Sequence, residues 1–239
     1  MGGPGAGRGL PLVRSNVKRP LSQLVHARIQ EGSGSPRIIT LHDHNQYARD
    51  VQDHALAAAP DARVIGLESY KGVYVGRNIV GYTWFVGPMD RPSPLFFGDA
   101  LAEIERFLWD EIDRQGSDRI ELPFLLGVGQ GAIMALATAA AVPDLLSGVI
   151  AVDGRLPIVP GWTPPLAPLD GLPVLVLEDA TREPVENVLQ GEELVTTLTA
   201  WGGDIRMKPL AGKGIPAGVM SAWLGARRPR FRESGVAVS

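Results

Sequence analysis

The 239-residue chain has no cysteine. Disulfides, thiolate metal sites and cysteine nucleophiles are therefore excluded, because each needs a sulfur that is missing. Long apolar runs are missing too. No stretch approaches the roughly 18 residues that a membrane-crossing helix requires, so no membrane span is expected. Charge of one sign is not in excess: 23 Lys and Arg stand against 26 Asp and Glu, a formal net charge of -3. That balance gives no footing for a nucleic-acid partner. The glycine-rich start, Met1 to Arg8, lacks the apolar core of a signal peptide, and a cytoplasmic protein is expected. What is present is ordinary for a globular chain, with 45% hydrophobic and 21% charged residues. The length suffices for one substantial core.

Residues 1–20 carry glycine, proline and scattered basic side chains and are expected to form a flexible arm. A single domain is expected over residues 21–225. Residues 226–239, with Arg227, Arg228, Arg230 and Arg232, read as a flexible basic tail that solubilises a frayed end. Within the domain, strands are predicted over 24–29, 37–41, 63–68, 122–126, 147–153, 172–178 and 204–209. Helices are predicted over 47–59, 98–115, 132–141, 186–201 and 216–224. In the second of these, Leu101, Ile104, Leu108 and Ile112 recur on one face, and the acidic residues opposite read as solvated surface. Residues 132–141 are too uniformly apolar for a surface helix. Residues 69–97 read as irregular and aromatic, and 154–172 as a long proline-rich loop.

Strands alternating with helices after an initial hairpin predict an α/β fold. The sheet should be mainly parallel, with an N-terminal antiparallel hairpin and helices on both faces. Ligands of such sheets bind at the carboxyl ends of the strands, which selects His42, Glu68, Gly129, Asp153 and Glu178.

The chain is organised around one stretch, where the apolar run Leu122 to Leu126 meets Gly127-Val128-Gly129-Gln130-Gly131 and then a run of small residues. This turn resembles the nucleophile elbow Gly-x-Ser-x-Gly, a sharp strand-to-helix corner that lifts a serine above the sheet. Four further segments, in order and at fitting spacing, are similar to those of the phospholipase/carboxylesterase branch of the α/β-hydrolases. Leu41-His42-Asp43-His44 resembles its Leu-His-Gly segment. Gly81-Tyr82-Thr83-Trp84-Phe85 resembles its Gly-Tyr-x-Trp-Phe, Val152-Asp153-Gly154-Arg155-Leu156-Pro157 its Leu-Ser-Gly-x-Leu-Pro, and Gly212-Lys213-Gly214-Ile215-Pro216 its Gly-His-Gly-Ile-Pro. The resemblance runs from about residue 37 to about residue 224 and implies an α/β-hydrolase fold.

The chemistry that the resemblance implies does not carry over. Gly129 stands at the serine position and Lys213 at the histidine position. The acid falls on Arg182 or Glu183, and only Glu183, followed by Pro184-Val185, preserves a carboxylate. The oxyanion donors would be the backbone N–H of Gln130 and one from the loop after His42, where Asp43 replaces a glycine.

Three readings of the cleft stay open. In the first, the chain is a pseudo-hydrolase that binds a small molecule or a protein partner, with Trp84, Tyr82 and the 154–172 loop walling a pocket. In the second, it is a non-hydrolytic lyase, isomerase or cyclase. His42, Asp43, His44, Glu68, Asp153, Glu178 and Lys213 would then supply acid and base on one rim. In the third, His42 and His44, with His54 and Glu68, hold a metal that activates water. Ser69, Ser93 and Ser147 are the remaining serines weighed as nucleophiles, and none sits at an elbow. No cofactor is expected.

Overall fold

Apolar side chains alternate along the strands and face two separate cores, which fixes the sheet as a buried central layer. The computed structural model describes residues 25–30 (backbone only), 34–179, 181, 183–210 and 214–233. The first half holds β1 (Val25–Gln30), β2 (Gly34–Leu41), α1 (Ala48–Ala58), β3 (Ala62–Ser69), β4 (Lys71–Val75), β5 (Asn78–Thr83) and α2 (Pro94–Arg114). Then come β6 (Arg119–Glu121), β7 (Phe124–Val128), α3 (Gln130–Ala141), β8 (Gly148–Val152), β9 (Leu156–Pro157) and β10 (Pro173–Glu178). The chain closes with β11 (Val188–Leu189), α4 (Gly191–Ala200), β12 (Asp204–Pro209), α5 (Ala217–Gly225) and β13 (Phe231–Glu233).

The main sheet has seven strands in the order β1-β3-β2-β7-β8-β10-β12. All neighbours are parallel except β1, which runs antiparallel and takes β3 as its partner. Ile39, Leu41, Leu125, Val149 and Val176 point to one face, where α2 and α3 complete the core. Ile38, Phe124, Leu126, Ile150 and Leu175 point to the other, against α1 and α5. Helix α3 is buried on every side from Gln130 to Ala140, as its uniform apolarity predicts.

Several expectations are corrected. Residues 69–97 are not simply irregular, because β4 and β5 form a hairpin within them. Val73, Tyr74 and Val75 favour a strand, and the two-residue turn places Gly76 at a φ of 62°. Residues 186–190 are not helical. Asn187 and Gly191 sit at φ 59° and 55°, left-handed values that a right-handed helix cannot run through. Between them Val188–Leu189 pairs with β9, and the helix starts only at Gly191.

The C-terminal segment is no free tail over its described part. Strand β13 pairs antiparallel with β6, the Arg230 N–H donates to Ser147 Oγ at 2.8 Å, and Arg119 lies over the Phe231 ring at 3.9 Å. The arm over residues 1–20 lies outside the described residues.

The acidic face of α2 is solvated only in part, with Asp113 exposed and Asp99 and Glu105 half-buried. Glu103, Asp110 and Glu111 are buried. Glu111 holds Arg37 at 2.8 Å, Arg114 at 3.1 Å and Arg63 at 3.8 Å. Arg37 lies in the first half of β2 and Arg63 is the second residue of β3, so this knot clamps the N-terminal halves of both strands to α2. Removing the buried carboxylate leaves three part-exposed guanidiniums to water and costs about 1–3 kcal/mol in lost charged hydrogen bonds. Glu111→Ala should lower the free energy of urea unfolding by that amount. A loss below about 1 kcal/mol would show that the knot is dispensable.

Candidate active site at the strand-to-helix elbow

The corner between β7 and α3 has the sharp geometry anticipated from its glycines. Gly129 is the N-terminal cap of α3, with φ 53° and ψ -114°, a conformation that ordinary side chains rarely adopt. Its N–H donates to the Val152 carbonyl at 2.9 Å, and its own carbonyl accepts the Ile133 N–H at 3.1 Å. The flanking glycines are required by close approach. A Cβ on Gly127 would overlap the Gly131 carbonyl, and one on Gly131 would overlap the backbone carbonyl of Leu41. Neither neighbour is a side chain that can swing away.

Gly129 differs from those two. A Cβ there would collide with the Asp43 carboxylate, whose Cγ and both oxygens fill that space. Asp43 Oδ1 accepts the Gln130 N–H at 2.8 Å and the His44 N–H at 2.7 Å. Two backbone donors thus converge on one carboxylate oxygen at the start of a 12-residue helix, where the helix dipole favours negative charge. The rest of Asp43 is anchored by a tight turn. Its N–H donates to Gln46 Oε1 at 3.1 Å, and its carbonyl accepts the Gln46 N–H at 3.3 Å.

His42 is fully buried, and both ring nitrogens are used. Nε2 accepts the Ser69 N–H at 3.1 Å, so Nδ1 carries the proton and donates to the Asp43 carbonyl at 2.7 Å. Burial holds the imidazole below its ordinary value of 6.5, against the opposing pull of the Asp43 carbonyl and the Glu68, Asp43 and Asp50 carboxylates. Trp84 stacks on this ring at 4.9 Å and donates its Nε1–H to the His42 carbonyl at 2.8 Å. Trp84 is 1% exposed, so it is a buried post under the site and not an open wall.

Gln130 links the elbow to the aromatic segment. Its Oε1 accepts the Trp84 N–H at 3.0 Å and lies 2.8 Å from Thr83 Oγ1, while its Nε2 donates to the Phe85 carbonyl at 3.2 Å. The single Thr83 hydroxyl proton is claimed by acceptors on Phe85 and Gln130, both at 2.8 Å. His44 Nδ1, 3.1 Å from the same oxygen, therefore serves as a donor, which leaves the lone pair of the neutral ring on Nε2. His44 is exposed.

The other anticipated residues divide. Glu68 lies at the end of β3 and caps α1 by accepting the Ala48 N–H at 3.1 Å. Asp153 follows β8 at a φ of 56°, one residue beyond the Val152 carbonyl that holds Gly129. Glu178 ends β10 and accepts the Gly191 N–H at 3.2 Å, which draws it toward the start of α4. Glu183 is exposed. Lys213 and Arg182 lie outside the described residues. His42, Asp43, His44, Glu68 and Gln130 are thus gathered around the loop after β2. Thr83 and Gln46 complete that group and went unnoticed in the sequence, although Thr83 is the variable position of the Gly-Tyr-x-Trp-Phe segment.

No three His, Asp or Glu side chains among the described residues are placed to hold a metal ion. His42, with both nitrogens engaged, has none to offer. Of the three serines weighed as nucleophiles, Ser93 precedes α2 without a side-chain cap hydrogen bond, and the other two are occupied with structure. Ser69 Oγ accepts the Lys71 N–H, and Ser147 Oγ donates to the Leu122 carbonyl. No helix among the described residues is long and apolar enough to cross a membrane.

A parallel sheet with a Gly-x-Gly-x-Gly elbow between a central strand and a buried helix defines an α/β-hydrolase fold, and known proteins agree. Residues 97–215 match the phospholipase/carboxylesterase family. A carboxylesterase from Mesorhizobium loti is similar at a TM-score of 0.68 and 20% identity, over 86% of this chain and 98% of its own. A Bacillus cereus carboxylesterase gives 0.68 at 17% identity, over 85% and 93%. A curated protein, "Putative esterase NocK" of Nocardia uniformis subsp. tsuyamanensis, is 29% identical over 193 residues, or 71% of this chain. The chain spans about half, 52%, of that relative's length. The chain is thus similar to the phospholipase/carboxylesterase family over residues 97–215 and shares the α/β-hydrolase fold of the solved carboxylesterases.

Two outcomes follow from this geometry. Gly131→Ala should abolish the native fold, read as loss of the cooperative thermal transition, whereas a native-like melting curve would refute the close approach to Leu41. The lowered His42 value makes acid destabilising. The unfolded chain takes up this proton near 6.5 and the folded chain only at lower pH, so stability is full above about 6.5 and is lost as pH falls through the folded value. His42→Gln should be less stable at neutral pH by about 1–3 kcal/mol. It should also lose less melting temperature than the parent between pH 7.5 and pH 5, and equal losses would count against the buried neutral imidazole.

Proposed function

We propose that this α/β-hydrolase-fold protein is a pseudo-hydrolase, and that the cleft above Gly129 binds a small molecule or a protein partner without serine-dependent acyl transfer. One observation carries the reading: the Asp43 carboxylate occupies the space above Gly129 and takes the Gln130 N–H. In a serine esterase that N–H must face a developing oxyanion, and a fixed negative charge there opposes the transition state. Residue 129 brings no nucleophile of its own. Ser69 and Ser147 are buried and hydrogen-bonded, which supports the same reading.

A second reading, a non-hydrolytic acid/base enzyme in the same cleft, is favoured by His44. The residue is exposed, its Nδ1 lies 3.1 Å from Thr83 Oγ1, and among the described contacts nothing bonds its Nε2, which suits a general base.

Incubation with a fluorophosphonate probe, followed by intact mass measurement, tests the principal reading. No adduct should form, and p-nitrophenyl butyrate should not be turned over above the buffer rate. A stoichiometric adduct on any serine would overturn it. Gly129→Ser alone should not restore turnover, because the new side chain meets Asp43.

A further inference from the structure

Lysine is scarce in this chain. It occurs at four positions, 18, 71, 208 and 213, and arginine supplies the other basic side chains. Lys71 opens β4 and stands opposite Thr83 in the hairpin. Its N–H donates to Ser69 Oγ at 3.2 Å, and the Ser69 N–H in turn holds His42. The backbone of Lys71 is thus fixed to the network that supports the elbow.

The charged end has no such support. Nζ is buried and, among the described residues, has no hydrogen-bond partner. The Tyr70 ring lies over it at 3.9 Å and the Phe96 ring at 5.5 Å. Arg63, Arg227 and Arg232 also carry a buried nitrogen without a hydrogen bond, but each is in an ion pair, with Glu111, Asp204 and Asp144. For Lys71 the carboxylates of Asp99 and Glu103 on α2 act through space without a hydrogen bond, and Glu103 already holds Arg106 at 2.8 Å. An ammonium buried in this way is costly, and the neutral amine escapes that cost. Burial accordingly pushes Lys71 below its ordinary value of 10.5, against the pull of Asp99 and Glu103. A desolvated lysine carries more of the free base, the form that attacks a carbonyl carbon.

The surroundings also select among the bonds that such an amine forms. A carbamate made with carbon dioxide would set a negative charge beside Asp99 and Glu103. An iminium keeps a positive charge, which two aromatic faces and two carboxylates accept. The same carboxylates repel an anionic partner, whereas Tyr70 and Phe96 suit a flat apolar one. Both residues are half-buried, so the rings that cover Nζ themselves border solvent.

We propose that Lys71 is a carbonyl-binding amine, which forms a reversible imine with an uncharged aromatic aldehyde between Tyr70 and Phe96. This goes beyond the binding reading above and does not depend on the elbow. Nζ attacks the carbonyl carbon, and a proton passes from nitrogen to the former carbonyl oxygen. The carbinolamine takes up one proton and expels that oxygen as water, the C–O bond breaking as the C=N bond forms. One amine, one aldehyde and one proton thus give one iminium and one water, with no oxidant or reductant.

The test uses the full chain with benzaldehyde and cyanoborohydride, which reduces an iminium to a stable secondary amine, followed by peptide mapping by mass. Lys71 should carry more than half of the lysine-bound label, although Lys208 is exposed and Nζ of Lys71 is not. In urea the label should spread over all four lysines. Lys71→Arg keeps a cation over the rings without a nucleophilic amine, and its lysine-bound label should fall by more than half. The anionic 4-carboxybenzaldehyde should label Lys71 less than benzaldehyde does. Between about pH 9 and pH 7 labelling of Lys71 should fall less steeply than that of Lys208, because the amine with the lower value keeps more free base. Labelling led by Lys208, a preference for Lys71 that survives unfolding, or equal pH dependence at the two lysines would overturn the inference. So would a preference for the anionic aldehyde, or an unchanged lysine label in Lys71→Arg.

Discussion

The absence of a side chain at Gly131 sets the distance between helix α3 and the end of β2, and the rest of the site is built to that distance. A Cβ there would run into the Leu41 carbonyl. Because none is present, the helix start and the His42–Asp43 loop lie against each other. That closeness lets the Gln130 N–H reach Asp43, and it seats the Gln130 side chain against Trp84 and Phe85. The same contact leaves the His42 ring enclosed between the Ser69 N–H and the Trp84 indole. Backbone proximity comes first here, and the polar network follows from it.

That network divides by burial. Its inner part, with His42, Trp84, Thr83 and the Gln130 side chain, is sealed and saturated with hydrogen bonds. Unpaired polar groups in such surroundings are costly, so these residues specify one arrangement of the loops and do little else. Its outer part, with Asp43 and His44, meets solvent. Any ligand of the elbow has to meet this outer part.

The fold was legible in the sequence wherever periodicity and glycine placement spoke together. Apolar runs marked β2, β3, β7, β8 and β10, and the helical spacing of Leu101, Ile104, Leu108 and Ile112 marked the buried face of α2. What stayed hidden depended on partners distant in the chain. Glu111 looks like a surface acid until Arg37 and Arg63 arrive from two strands. Phe231 and Arg232 look like a frayed end until β6 supplies an edge and Arg119 a cation for the ring. At the site, Gly129 and Asp43 could each be read as a departure from the esterase pattern, but their occupation of one volume is a fact of three dimensions. Thr83 and Gln46 were silent because neither residue type announces a role until its acceptor or donor is in view.

The ionic knot on Glu111 lies at the N-terminal halves of β2 and β3, while the elbow lies at the carboxyl end of β7. Much of the anchoring of the sheet is thus placed at one pole and its ligand-facing loops at the other. A lineage that redesigns the loop after β2 does so without loosening the clamp below. Substitutions at Asp43 or His44 are consequently cheap experiments for evolution, and the fold can outlive several changes of occupation at the same corner.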